Sequence, residues 1–226
     1  AAGCTMVLKP AALTPLTSLL FTQVMAEAGL PAGVLNVIPT TRAGAVTGPL
    51  LTDPRLRKLS FTGSTAVGSR LIADSAAQVL RVSMELGGNA PFLVFEDADV
   101  DAAVQGALVA KLRNGGEACV AANRFLVARP VAAEFAGKLA AAMGGYVVGH
   151  GADPATQLGP LINDAAIRDV DRLVASAVTA GATLVCGGRP LDAPGYFYPA
   201  TLVCDVPVDA EILREEIFGP VATIVT

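Results

Sequence analysis

The stretch ELGGNAPFLVFEDAD, residues 85–99, carries one strand to a double glycine and then begins a second apolar strand that breaks at an acidic turn. Two glycines between strands end one element without committing the next to the same sheet, so a domain boundary belongs there. The reading divides the chain into residues 1–86 and residues 87–226.

Upstream of that boundary, GCTMVLKP reads as a strand ended by Pro10, residues 16–25 have helical apolar spacing, and VLNVIP reads as a second strand. Residues 43–52 then predict a helix, LRKLSFTG a strand, and STAVGSRLIADSAAQ a helix with Ser64 or Thr65 as its N-cap. RVSMELGG is the strand that closes this half. Downstream, APFLVFEDAD gives a strand, VDAAVQGALVAKLRNGG an amphipathic helix and RFLVARP a strand. Residues 131–143 and 164–180 predict helices, and ATLVCGG, GYFYPATLVCDV and the final β-branched run predict strands. Strands that alternate with helices throughout predict an α/β protein. Both ends cut through expected elements, so the chain is expected to be an internal piece of a longer protein.

Composition narrows the function classes. Hydrophobic residues make up 53% of the 226, with no tryptophan, which suits buried strands and helices. The net charge is −4 and the Lys and Arg residues are scattered, so no footprint for nucleic acid or an anionic membrane is present. No apolar run approaches the roughly 20 residues that span a bilayer, and the start has no signal-peptide pattern; a cytoplasmic protein is expected. Four cysteines without C-x-x-C spacing and a single histidine, His150, argue against a disulfide framework and against a zinc site.

Chemistry concentrates at a few positions. Cys4, Cys186 and Cys204 lie in strand-like contexts, where a thiol acts as a small hydrophobe. Cys119, in RNGGEACVAANR, follows glycines that let backbone N–H groups approach a bound carbonyl. Local chemistry leaves it open between nucleophile and apolar filler. His150 lies in an expected surface loop, which disfavours a thiol hydrolase activated by histidine. Glu85, at a strand end before two glycines, is either a general base or a surface acid. In FTGSTAVG, Gly63 and Ser64 join a strand to a helix in the manner of a phosphate site, yet the spacing is neither a P-loop nor G-x-G-x-x-G. Lys9 ends the first strand, where it reaches either a ribose phosphate or solvent.

Taken in order, VLKPA, AGLPAGVLNVI, FTGSTAVG, MELGGNAPFLVFEDAD, NGGEACVAANR, LGPLI and EEIFGPV resemble the aldehyde dehydrogenase superfamily over essentially the whole chain. Within it, KLRNGGEACVAANR and VPVDAEILREEIFGP are most similar to succinate-semialdehyde dehydrogenases. The resemblance implies part of a Rossmann-like NAD(P)-binding domain at 1–86 and a catalytic α/β domain at 87–226. It implies that Cys119 attacks the aldehyde carbon to form a thiohemiacetal, that hydride leaves for a nicotinamide, and that Glu85 activates water to hydrolyse the thioester. Lys9, Gly63 and Ser64 are implied at the adenosine ribose and pyrophosphate, Glu216 and Phe218 at the nicotinamide ribose and ring, and Arg113 at the substrate carboxylate. The substrate implied is succinate semialdehyde, with glutarate semialdehyde or another small aldehyde as alternative. A noncatalytic nucleotide-binding remnant is the alternative of another class. A homo-oligomer, dimer or tetramer, is implied for the full-length parent.

Three positions depart from the family pattern. Ala12 stands where many NAD-preferring relatives have Glu, which ranks NADP ahead of NAD. Glu117 stands where many have Gln, and would raise the thiol pKa if turned inward. Ala121 stands where some have a second cysteine, so no disulfide with Cys119 can form at that spacing. The family's oxyanion-hole asparagine falls before residue 1; losing one such donor costs about 10²–10³ in rate, and the isolated chain is expected to be inactive.

Overall fold

A computed structural model of the chain describes residues 3–226 and divides between Glu85 and Leu86 into two compact units. In the first unit, β1 (Met6–Leu8) and β2 (Leu35–Val37) pair in parallel across α1 (Leu16–Glu27), with Met6 opposite Leu35. The strand is shorter than GCTMVLKP because Gly3 takes a positive φ of 74° and Pro10 has no N–H to offer a ladder. Cys4 consequently lies ahead of β1 and is exposed, a correction to its strand reading.

There follow α2 (Ala43–Leu51), β3 (Lys58–Gly63), α3 (Thr65–Ser75), a short 3-10 turn and β4 (Arg81–Leu86), with β3 and β4 paired. Ser64 is the N-cap of α3: its backbone is extended and its Oγ accepts from Val67 N–H at 3.5 Å.

The second unit is built on one sheet. Its elements in chain order are β5 (Ala90–Val94), α4 (Val100–Leu112), β6 (Ala122–Val127), α5 (Arg129–Gly144), α6 (Asp164–Thr179), β7 (Thr183–Cys186), β8 (Thr201–Cys204) and β9 (Val221–Val225). The strand order is β5-β6-β9-β8-β7, parallel except for the antiparallel β7 at the edge. Asp99 and Asn163 cap α4 and α6 by accepting from Ala102 and Ala166 N–H at 3.0 and 2.9 Å.

Alternation along each strand sends side chains to two cores. On β8, Leu202 faces Phe135, Leu139 and Met143 of α5, whereas Val203 faces Val170, Leu173 and Val174 of α6. On β9, Ala222 and Ile224 join the first core and Val221 the second. The sheet is therefore covered on both faces, as parallel strands require.

One expected strand is much reduced. GYFYPATLVCDV pairs only over Thr201–Cys204, since Pro199 lacks a donor and the preceding backbone bonds to loops: Tyr196 C=O accepts from Leu161 N–H and Phe197 C=O from Leu191 N–H.

Phe125 has no exposed surface and stacks between Phe92 and Phe135, with ring centroids 5.2 and 6.5 Å away. Phe125→Ala should cost about 3–5 kcal/mol of stability in chemical denaturation, from lost burial plus a cavity on a central strand.

Candidate active site

Three neighbouring parallel strands, β5, β6 and β9, enter the sheet from the same edge, so the loops leading into them gather there. These loops carry Gly87–Asn89, the turn around Cys119, and Glu216–Phe218.

The cysteine turn is set by what ends α4. Asn114 and Gly115 take left-handed conformations (φ 53° and 64°), and the Asn114 side-chain amide donates to Glu117 C=O at 2.9 Å. Gly116 follows with φ 77°, and a Cβ there would overlap the carbonyl of Gly219. Backbone thus packs directly on backbone, which holds the cysteine loop to the loop entering β9. Beyond it Cys119 is exposed on a tight turn closed by Ala121 N–H donating to Ala118 C=O at 2.9 Å.

Arg113, the C-cap of α4, is exposed and shares an open recess of about 190 Å³ with Val109, Ala110, Ala118, Val120 and Ala121. The structure therefore brings the cation to the same recess as the residues flanking the thiol. Glu117 is half-buried and accepts from Ile162 N–H at 3.1 Å; burial raises its pKa and that hydrogen bond opposes the rise. Its carboxylate ties the turn to the segment before α6. Ala121 is buried and fills space.

Glu216 lies partly buried over Gly87, where any Cβ would overlap its carboxylate, and its Oε1 accepts from Gly88 N–H at 3.3 Å. Phe218, two residues on, keeps 43% of its surface exposed. Both residues also line a recess of about 290 Å³ against α6.

Beneath these loops lies a polar pair with no part in the sequence reading. Lys111, 1% exposed, donates to Asn123 Oδ1 at 2.7 Å and to Ile217 C=O at 3.2 Å. The signal was present in the helical period: Lys111 falls on the buried stripe of Val104, Ala107 and Leu108.

The remaining expected residues belong to the first unit. Gly63 ends β3 and Ser64 caps α3, so both occupy a strand-to-helix junction. Lys9 is half-buried just after β1, and its Nζ donates to Pro10 C=O at 2.7 Å. Glu85 is exposed in β4.

The aldehyde dehydrogenase family profile matches residues 1–226. The chain belongs to the aldehyde dehydrogenase family. Over 226 residues it is 65% identical to a succinate-semialdehyde dehydrogenase of Paenarthrobacter nicotinovorans, covering 100% of this chain and 50% of that protein. It is 49% identical over 222 residues to the NADP(+) succinate-semialdehyde dehydrogenase GabD of Escherichia coli, covering 98% and 46%. A crystal structure of an E. coli NADP dependent enzyme superposes with a TM-score of 0.96 at 48% identity, over 99% of this chain and 46% of that one. This aldehyde dehydrogenase chain has the family's fold and spans about half the length of the curated relatives it matches.

Thiol accessibility separates the four cysteines of the aldehyde dehydrogenase chain. Burial pushes the Cys186 thiol up and Cys204 up to about 11, while Cys119 and Cys4 are exposed. Iodoacetamide near neutral pH should label Cys4 and Cys119 in the folded protein and Cys186 and Cys204 only after denaturation, as peptide mass spectrometry reads. Gly116→Ala should destabilise the protein by about 2 kcal/mol or more in denaturant titration, because φ is positive and Gly219 backbone occupies the space.

Proposed function

We propose that the protein carrying this chain oxidises succinate semialdehyde to the dicarboxylate with NAD(P)⁺, through a covalent adduct on Cys119. The observation that carries the reading is the pairing of an exposed thiol turn with Arg113 at one recess. Arg113 holds the substrate carboxylate with its planar fork of donors and points the aldehyde end at the turn. The Cys119 thiolate adds to the aldehyde carbon, and its own backbone N–H donates to the developing oxyanion. A nicotinamide held at Glu216 and Phe218 would supply the acceptor for the hydride that leaves the aldehyde carbon. Glu85 then takes a proton from the water that opens the thioester, and the thiol returns to its starting state.

Residues 1–86 serve in this reading as part of the cofactor domain and 87–226 as the catalytic domain. The donor set suits an anionic dinucleotide. In the first unit, the Lys9 ammonium and the Gly63–Ser64 junction at the α3 N-terminus suit the adenosine ribose and pyrophosphate. In the second, the Glu216 carboxylate suits ribose hydroxyls and the exposed Phe218 ring suits the nicotinamide. Ala12 offers no carboxylate against a 2′-phosphate, so NADP ranks ahead of NAD. A cytoplasmic homo-oligomer, dimer or tetramer, completes the proposal; the scattered, unpaired spacing of the cysteines suits a reducing compartment.

A second substrate reading, glutarate semialdehyde, is favoured by relatives of that name, one from Pseudomonas aeruginosa being 47% identical over 224 residues. In the complete gene product, Cys119→Ala should abolish aldehyde-dependent NAD(P)H formation. Arg113→Leu should raise KM for semialdehyde acids roughly tenfold or more and leave neutral aldehydes nearly unaffected. Equal losses with both substrates would end the carboxylate role. The ratio of kcat/KM for the four- and five-carbon semialdehydes decides between the substrates.

A further inference from the structure

Among the described residues, Lys111 is the only buried charged side chain, and no step above uses it. An ammonium in an apolar interior is costly unless its donors are met, and a methionine or leucine would fill the same space at less cost. Lys111 Nζ meets Asn123 Oδ1 at 2.7 Å and Ile217 C=O at 3.2 Å. Asn123, also 1% exposed, donates from Nδ2 to Gly88 C=O at 3.5 Å, and its own C=O accepts from Thr223 Oγ1 at 2.6 Å. Gly88 N–H returns to Glu216 Oε1 at 3.3 Å, and Glu216 is bonded to Ile217 through the chain. The contacts close into a ring of Lys111, Asn123, Gly88, Glu216 and Ile217.

We propose that Lys111 is a positioning residue for the segment Glu216–Phe218, its buried ammonium setting where the Glu216 carboxylate and the Phe218 ring stand to receive the nicotinamide riboside of the cofactor. The inference rests on the reading of Glu216 and Phe218 as cofactor-binding residues. The bond to Ile217 C=O fixes the backbone between those two side chains, and the charge of the ammonium attracts the Glu216 carboxylate through space. Asn123 keeps the ammonium from turning away, and its grip on Gly88 and Thr223 makes the anchor part of the sheet.

The charge is also adjustable. Burial pushes the Lys111 pKa down to about 7, with the attraction of Glu216 acting against that fall. Glu216 is the ionisable group whose charge acts on it; its other partners, Asn123 and the Ile217 carbonyl, are neutral. Glu117, on the loop after α4, is engaged with Ile162, and Arg124 follows Asn123 on β6 and so points to the opposite face. As pH rises through the Lys111 pKa the ammonium is lost, the tie to Glu216 weakens, and cofactor binding weakens with it.

The test measures NADH binding by fluorescence in the complete gene product, because NADH lacks a 2′-phosphate that would titrate itself. For the unaltered protein, Kd should rise several-fold, and no more than about tenfold per pH unit, between about pH 6 and 9. Lys111→Met should raise Kd at about pH 6.5 roughly tenfold, leave aldehyde KM within about twofold, and flatten the pH dependence. Amide exchange without cofactor should quicken at Gly88 and Phe218 in the same variant. A Kd unchanged by Lys111→Met while Glu216→Gln still raises it overturns the inference and leaves the cofactor reading standing. No effect of Glu216→Gln on Kd overturns the cofactor reading and the inference together. Should Lys111→Met fail to fold, Asn123→Ala, which removes the anchor of the ammonium, takes its place, and an NADH Kd unchanged by it overturns the inference.

Discussion

Parallel pairing of β5, β6 and β9 is the constraint on which the second unit depends. Parallel strands all enter from one edge, so the segments before them meet there regardless of their separation in the chain; Gly88 and Glu216 hydrogen-bond across 128 residues. Open α/β sheets more often use the carboxyl ends of their strands for ligands. Here the amino ends carry the candidate site, and glycine makes that possible. Gly116 lets the cysteine turn lie on the Gly219 carbonyl, and Gly87 makes room for the Glu216 carboxylate. A side chain at position 116 would push these loops apart, and one at position 87 would displace the Glu216 carboxylate.

This edge is polar where the rest of the unit is apolar. Phe125, Leu202, Ile212 and Val221 are buried with little or no exposed surface, and their packing needs no direction beyond shape. Lys111, Asn123 and Thr223 are buried as completely, yet each is tied by a directed hydrogen bond. Such a network loses much of its value if one member is missing, which makes it suited to holding loops in a single arrangement rather than to adding stability. The same edge leaves Cys119 accessible while burial keeps Cys186 and Cys204 protonated.

The two units differ in how far they cover their own apolar surface. The second has helices on both sides of a five-stranded sheet and a core on each face. Among its described residues the first has two separate strand pairs, and Leu16, Leu20, Phe21 and Val24 along α1 remain exposed. Two-stranded pieces have too little area to enclose a core by themselves.

The order and kind of elements were legible in the sequence, because helical and strand periods, the Ser64 cap, and glycine and proline stops act over a few residues. That is why α4, α6, the Ser64 cap and the turn before Cys119 were all readable, and why the family resemblance could rest on short ordered motifs. Strand extent was less legible: GYFYPATLVCDV has the composition of a long strand, but loop partners take its first half. The site divides the same way. Cys119 stands out by its local sequence, and Arg113, Glu216 and Phe218 through the family resemblance, whereas no motif marks Lys111 and Glu117 could face either way. Sequence by itself determined the alternating α/β elements and the glycine break ahead of Cys119, since both follow from local backbone preferences. Only the tertiary structure decided that β9 lies beside β6, that Lys111 turns inward to Asn123 and Ile217, and that Glu117 turns to Ile162, because each depends on contacts between residues distant in the chain.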